Sequence, residues 1–313
     1  MKYPKKLQPG ATIGLICPSS PITPEKEAGC RAVVEAMGYR VKMADNLTVK
    51  YGGFMAGAEE VRADWVNCMF ADPEVDAILC ACGGDTSSRI LEYLDLDLIR
   101  ANPKIFVGYS DVTNLNLVLN QQCGLVTFHG PMANSNMRER FDDETKESFF
   151  HALNAEESYE FRNPNGFAIK TLRTGSAERV SGVLTGGNLA LLSASIGTPY
   201  EWDTKDKILF IEEINENTSR VERMFYQLRN SGKLAQCAGI ILGQFTNCGN
   251  QYDESYTEID SLADATRGLD IPIIYNVQSG HGQPMMTLPL GAECTIDLTC
   301  REKPRMFFAK PQR

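Results

Sequence analysis

The sequence is poor in the features that mark membrane, secreted and nucleic-acid-binding chains. No apolar run approaches the ~18 residues of a membrane span, and Met1-Lys2-Tyr3-Pro4-Lys5-Lys6 lacks the apolar core of a signal peptide. Basic charge is in short supply: 31 Lys and Arg against 40 Asp and Glu give a formal net charge of −9. That balance argues against nucleic acid or an anionic membrane as a main partner. Histidine is scarce, so any imidazole chemistry must fall to His129, His151 or His281. The ten cysteines lack the spacing of a metal site, since Cys80-Ala81-Cys82 has no second pair. They are scattered through strand-like and helix-like runs, at Cys17, Cys80, Cys123 and Cys294 among others. The expectation is a cytoplasmic protein with reduced, mostly buried thiols, no metal and no cofactor.

What remains is an ordinary globular composition, 43% hydrophobic and 23% charged over 313 residues, with room for two domains. Thr12 to Cys17 is a short apolar run that ends at Pro18-Ser19-Ser20-Pro21 and reads as a first strand. A helical pattern from Glu25 to Met37 stops at Gly38, and Arg40 to Met43 follows as a second strand. This order implies a parallel sheet with a right-handed crossover. A loop-like Tyr51 to Gly57 leads to a helix from Glu59 to Phe70 and a third strand, Asp76 to Ala81. That strand runs into Cys82-Gly83-Gly84-Asp85-Thr86-Ser87-Ser88-Arg89, a glycine turn opening another helix. Leu125 to Phe128 is strand-like, Arg138 to Glu160 is polar and partly helical, and Phe161 to Gly175 is irregular. A domain boundary falls there, giving residues 1–160 and 161–313. Beyond it, Gly182 to Gly197 reads as strand, glycine turn and buried helix, and Lys207 to Ile211 as a strand ending in Glu212-Glu213. Helices are expected over Arg220 to Ser231 and Tyr256 to Gly268, with a strand from Ala238 to Leu242. Ile271 to Ile274 runs toward Ser279-Gly280-His281-Gly282, and Thr287 to Gly291 with Cys294 to Leu298 reads as a closing hairpin.

The chemistry concentrates around Lys104-Ile105-Phe106-Val107-Gly108-Tyr109-Ser110-Asp111-Val112-Thr113. A buried strand, a glycine turn and a helix follow one another, so Ser110 sits at a sharp corner. Such a corner lifts a hydroxyl clear of the sheet and aims helix N-terminal amides at whatever approaches it, which suits acyl transfer. The second glycine of the nucleophile-elbow pattern G-x-S-x-G is absent, and a serine here also suits a helix N-cap. Gly83-Gly84 has three readings: a phosphate cradle, an oxyanion donor beside Ser110, or a plain turn. Its continuation with Thr86-Ser87 departs from the Gly-Thr of diacylglycerol- and NAD-kinase-like turns. Of the histidines, His151 lies in a helical pattern, His129 ends a strand, and His281 stands between glycines on a loop from which its ring can reach another element. Glu212 or Glu213 could orient that imidazole. Strand alternation does not choose between them, because both faces of a parallel strand can be buried.

Several of these stretches together resemble one family. Pro103-Lys104-Ile105, Gly108-Tyr109-Ser110-Asp111-Val112-Thr113, Gly186-Gly187-Asn188-Leu189, Ile196-Gly197-Thr198-Pro199, Leu209-Phe210-Ile211-Glu212-Glu213 with Arg223, and Gly280-His281 with Leu288-Pro289-Leu290-Gly291 look like the LD-carboxypeptidases, serine peptidase family S66. The resemblance spans nearly the whole chain. It implies a Ser-Glu-His triad of Ser110, Glu212 and His281, with Glu212 matching the catalytic carboxylate. It implies backbone oxyanion donors at Gly84 and Asp111, and a homodimer. The fold implied is α/β, a doubly wound and mostly parallel N-terminal domain carrying the nucleophile and a C-terminal α/β domain, partly β-rich, carrying acid and base. The activity implied is hydrolysis of the amide between an L-centre diamino acid and a terminal D-alanine in murein tetrapeptides. Cleavage of an aminoacyl-nucleotide by an immunity-type peptidase is the alternative, and a non-enzymatic small-molecule binder or a nucleotide kinase would be different classes altogether. Murein-recycling members often carry Arg-Gly-Gly-Tyr where this chain has Cys82-Gly83-Gly84-Asp85, a change that bears on substrate more than on reaction.

Overall fold

The computed structural model describes residues 1–313 and divides them into two compact units. The first comprises Met1–Ala155 with Thr287–Gly291 and Gln312–Arg313, the second Glu156–Met286 with Ala292–Pro311.

Strands of a parallel sheet are covered on both faces, so they read as unbroken apolar runs rather than alternations. In the first unit Thr12–Ile16, Ala77–Cys80, Ile105–Val107 and Thr127–His129 are buried at every position, whereas the edge strand Arg40–Met43 is half-buried or exposed throughout. The sheet order is Leu288–Leu290, Thr127–His129, Ile105–Val107, Ala77–Cys80, Thr12–Ile16, Arg40–Met43, and all but the first of these run parallel. Thr12–Ile16 therefore has the second strand on one side and the third on the other, and the direction of winding reverses there. Loops leaving the carboxyl ends at such a reversal are where open α/β sheets hold ligands. Here they are the Pro18–Ser20, Cys82–Asp85 and Gly108–Ser110 segments. The helix Thr113–Cys123 buries eight of its residues and stops at Gly124, whose φ of 65° is the left-handed cap that glycine accepts without cost.

The closing hairpin is not formed. Leu288–Leu290 instead pairs antiparallel with Thr127–His129 in the first unit, while Glu293–Asp297 pairs with Arg179–Asn188 and Arg305–Phe308 in the second. Pro289 has no N–H to donate, which suits it to the outer edge of a sheet and not to a two-sided hairpin position. Gly291, at φ 90°, turns the chain away after it.

The second unit is built on an eight-stranded sheet. Its centre, Arg179–Asn188, Ile208–Ile214, Gly239–Thr246 and Ile273–Tyr275, is parallel. Antiparallel strands flank it: Glu293–Asp297, Arg305–Phe308 and Tyr159–Phe161 on one side, Lys170–Arg173 on the other. Lys170–Arg173 lies within the stretch expected to be irregular, and Tyr159–Phe161 ends at its first residue, because pairing with distant strands supplies what local pattern lacks. The expected turn at Gly186-Gly187 is likewise strand, continuing to Asn188. A Cβ on Gly186 would lie 1.9 Å from the Phe210 carbonyl oxygen, so this glycine serves close strand approach. The helix Thr218–Asn230 buries Val221, Phe225 and Leu228 at helical spacing and is capped by the Asn217 side chain. No helix is long and apolar enough to cross a membrane. The architecture is the α/β arrangement of two mixed sheets that the sequence implied.

Asn120, buried in the Thr113–Cys123 helix, donates through Nδ2 to the Leu125 carbonyl at 2.7 Å, Thr127 Oγ1 at 3.1 Å and the Leu290 carbonyl at 3.2 Å. Asn120→Ala strands these acceptors and should destabilise the fold by about 1–3 kcal/mol. Urea unfolding measures it; a change below about 0.5 kcal/mol would show that the edge strand does not depend on this amide.

Candidate active site

In the first unit the candidate nucleophile lies at the corner after Ile105–Val107. Tyr109 is extended, and Ser110 then takes φ 62°, in the left-handed region that a side chain makes costly. No side-chain hydrogen bond caps the turn that Ser110 opens, so the capping reading of this serine does not describe the structure. What holds the corner is packing around Gly108 and its backbone. A Cβ on Gly108 would lie 2.6 Å from Val112 Cγ1, and the Gly108 carbonyl accepts from Asn116 Nδ2 at 3.0 Å while its N–H donates to Phe128 at 3.1 Å. Strain of this kind persists only where the surroundings over-determine it, and it concentrates at functional sites.

Asp111 joins this corner to the glycine turn. Its buried carboxylate accepts from the Thr86 and Ser87 amides at 2.9 and 2.8 Å, and its carbonyl accepts from Ser87 Oγ at 2.6 Å. Ser87 Oγ in turn accepts from Asn114 Nδ2 at 3.0 Å. The turn is thereby drawn against the serine: a Cβ on Gly83 would lie 3.2 Å from Ser110 Oγ and 3.5 Å from the Asp111 nitrogen. Gly84, at φ 151°, packs against the other neighbour, with Ser19 and Ser20 hydroxyls 2.4 and 2.3 Å from where its Cβ would be. Arg62 fixes the surrounding loops from beneath, donating to the carbonyls of Gly57, Pro18 and Thr86 at 3.1, 2.8 and 3.1 Å. Cys82 is buried and donates to the Ser20 carbonyl at 3.1 Å. Neither Arg62 nor the structural use of the Asp111 side chain was legible in the sequence, because both depend on which loops meet.

The candidate acid and base lie in the second unit. Glu212 and Glu213 end the Ile208–Ile214 strand side by side, and both are buried. Glu213 is taken up by the next strand and helix: Oε1 accepts from Asn188 Nδ2 at 3.0 Å and from the Ile214 amide at 2.7 Å, and Oε2 from the Ala190 amide at 2.8 Å. Burial raises its carboxyl above the ordinary value, against the pull of these bonds. Glu212, on the opposite face, places Oε2 2.7 Å from His281 Nδ1, while its Oε1 is buried without a hydrogen bond. A carboxylate with this single strong partner directs its charge to one imidazole nitrogen. Gly280 permits the approach, since a Cβ there would lie 3.0 Å from Glu212 Oε2. His129 is fully buried in its strand, edge-on to Tyr109, and His151 is exposed on the helix Asp143–Asn154. No cluster of three or more His, Cys, Asp or Glu side chains is placed to hold a metal ion. Beside the His281 loop is a cavity of about 410 Å³, lined by Lys170, Gln244, Glu258, Gln278, Gly282 and Gln283 among others.

The first unit thus holds a strained serine on a strand-to-helix corner, and the second a histidine hydrogen-bonded to a buried carboxylate. The sequence profile of the LD-carboxypeptidase N-terminal domain matches residues 13–130, and that of the LD-carboxypeptidase C-terminal domain matches residues 181–296. The chain belongs to the LD-carboxypeptidase family of peptidases. It is 38% identical over 299 residues to a probable murein peptide carboxypeptidase of Bacillus subtilis (strain 168), covering 94% of this chain and 91% of that one. Among solved structures it is similar to the microcin C7 self-immunity protein MccF in complex with glutamyl sulfamoyl guanosine (TM-score 0.88, 26% identity, 99% of each chain). It is also similar to muramoyltetrapeptide carboxypeptidase from Oxalobacter formigenes (TM-score 0.84, 27% identity, 97% of this chain and all of that one).

The left-handed backbone at Ser110 makes a stability prediction independent of any substrate. Ser110→Gly relieves the strain and should raise stability by about 1 kcal/mol, while Ser110→Ala, which keeps a Cβ, should leave it nearly unchanged. Thermal unfolding of the three proteins tests this; a glycine variant less stable than the alanine one would place the strain elsewhere.

Proposed function

We propose that the protein is a serine carboxypeptidase that removes the terminal D-alanine from the L-centre of a diamino acid in murein tetrapeptides. Ser110 Oγ attacks the amide carbonyl as His281 takes its proton; the carbonyl oxygen becomes an oxyanion facing the backbone amides of Gly84 and Asp111. Collapse breaks the C–N bond, and His281 returns the proton to the departing amine of D-alanine. Water then attacks the acyl-enzyme by the same route, releasing the shortened peptide and Ser110. Glu212 holds the imidazole in the tautomer with its proton on Nδ1 and stabilises the imidazolium. The observation that supports this reading is the Ser110 backbone: a serine held at φ 62° on a strand-to-helix corner has the conformation of a nucleophile elbow. The murein peptide carboxypeptidases among the relatives support the substrate class.

A second reading, cleavage of an aminoacyl-nucleotide amide, is favoured by the similarity to MccF bound to glutamyl sulfamoyl guanosine. The chemistry is shared, and only the group beyond the cleaved bond differs. Mass analysis of products from a murein tetrapeptide and from a glutamyl sulfamoyl nucleoside decides: release of D-alanine supports the first, and turnover of the nucleoside alone replaces it with the second.

The residue roles are tested separately. A serine-directed phosphonate should label the wild-type protein once, at Ser110, and fail to label Ser110→Ala; labelling elsewhere removes Ser110 from the mechanism. Glu212→Gln should lower kcat by on the order of 10⁴, as neutralising a triad acid does. Glu213→Gln should lower it less than about tenfold, showing its effect in thermal stability through the lost contacts to Asn188 and Ala190. If the two effects on kcat come out reversed in folded variants, the carboxylate assignment is wrong.

A further inference from the structure

His281 sits on a loop, Gln278 to Pro284, that regular secondary structure does not hold. One side of that loop faces the 410 Å³ cavity, which Gly282 and Gln283 line, so packing does not fix it there. Hydrogen bonds must, and they converge on one residue. The Gln244 backbone N–H donates to the Ser279 carbonyl at 3.0 Å. Its side-chain Oε1 accepts from the Gly282 N–H at 2.8 Å, and its Nε2 donates to Gln278 Oε1 at 3.0 Å and to the Pro284 carbonyl at 3.3 Å. A single amide thus grips the loop at both ends and immediately after the histidine.

The contact is also close. A Cβ on Gly282 would lie 2.5 Å from Gln244 Nε2, and one on Gly280 would lie 3.2 Å from Gln244 Cβ. The glycines flanking His281 are therefore what lets the loop backbone rest on Gln244. The far side of the amide is anchored as well: Gln278 Nε2 donates to Asn276 Oδ1 at 2.8 Å, its N–H to Asn163 Oδ1 at 2.9 Å, and Asn163 Nδ2 to the Asn276 carbonyl at 2.7 Å. Each side-chain amide uses donor and acceptor at once, which fixes its orientation and propagates that orientation to the next.

From this we infer that Gln244 is a positioning residue for His281: its side-chain amide sets the loop so that Nδ1 meets Glu212, and without it the imidazole loses that alignment. The inference rests on the proposed role of His281 for its catalytic consequence, but its structural content does not depend on any substrate. A proton held between Nδ1 and a buried carboxylate at 2.7 Å should give a low-field imidazole resonance in the proton NMR spectrum, absent in His281→Ala.

The experiment compares wild type with Gln244→Met, which keeps the side chain's length and removes its hydrogen bonds. The expected result is a folded protein whose low-field resonance is broadened or lost, and whose kcat on the tetrapeptide falls ten- to a hundredfold with KM within threefold. Gln244→Glu, which retains an acceptor for the Gly282 amide, should recover part of both signals. A methionine variant that keeps the resonance and the wild-type kcat overturns the proposal, as does one that only loses thermal stability. If Gln244→Met does not fold, Gln278→Met, which removes the amide bearing on Gln244, is read in the same way, with a three- to tenfold loss expected and none overturning it. If the wild-type protein shows the resonance but no tetrapeptidase activity, the substrate reading has failed and the positioning role is still decided by the spectrum.

Discussion

The acceptance of two backbone amides by the Asp111 carboxylate is the constraint on which the first unit's functional edge depends. A buried carboxylate is expensive to desolvate unless its lone pairs are satisfied. Here the amides of Thr86 and Ser87 both donate to Oδ2, while Oδ1 is buried without a hydrogen bond, and the glycine turn is thereby fixed beside the serine corner. Everything nearby follows from that closure. A side chain on Gly83 would crowd Ser110, one on Gly84 would collide with Ser19 and Ser20, and Arg62 is buried where the carbonyls of Gly57, Pro18 and Thr86 turn inward. The strain at Ser110 is tolerated because its neighbours on both sides are immobilised, Gly108 through Asn116 and Asp111 through the turn.

The second unit solves a different problem, how to hold two adjacent carboxylates in the dry interior. Strand alternation sends them to opposite faces, and each face meets its own partner. Glu213 becomes an anchor for the helix that starts at Leu189, and Glu212 is left to the histidine. Separating the two partners keeps the pair from competing for one site, and it gives the neighbouring residues distinct physical roles without any difference in side-chain chemistry.

Much of this was legible in the sequence, and the rest was not for definable reasons. The buried parallel strands announced themselves as apolar runs, the corner at Ser110 as strand, glycine and helix in succession, and the family as motifs in order along the chain. The helix after Asp85 was expected to be regular, but Ser87–Tyr93 is a tight 3-10 segment, followed by the short helix Leu96–Ala101. The strand Lys170–Arg173 was missed, and the strand at Leu288–Leu290 was given the wrong partner, because both pair with strands far away in sequence, Ile273–Tyr275 and Thr127–His129. Local pattern could not reveal which carboxylate of Glu212-Glu213 met His281, since Asn188, which takes up Glu213, lies a whole strand connection earlier. Gln244 carried no signal at all, because a lone glutamine at a strand end acquires meaning only when a loop comes to rest on it.

The return of Leu288–Leu290 to the first sheet has a consequence for how such a gene can be divided. The first unit is completed by residues that are translated after nearly all of the second. A fragment ending near Ala155 would leave the Thr127–His129 strand with one side unpaired, a sticky edge of the kind that recruits other chains. Neither unit can be shuffled, as an intact exon-like block, onto another partner by a single crossover. Recombination must exchange them together, or must carry the terminal strand as well.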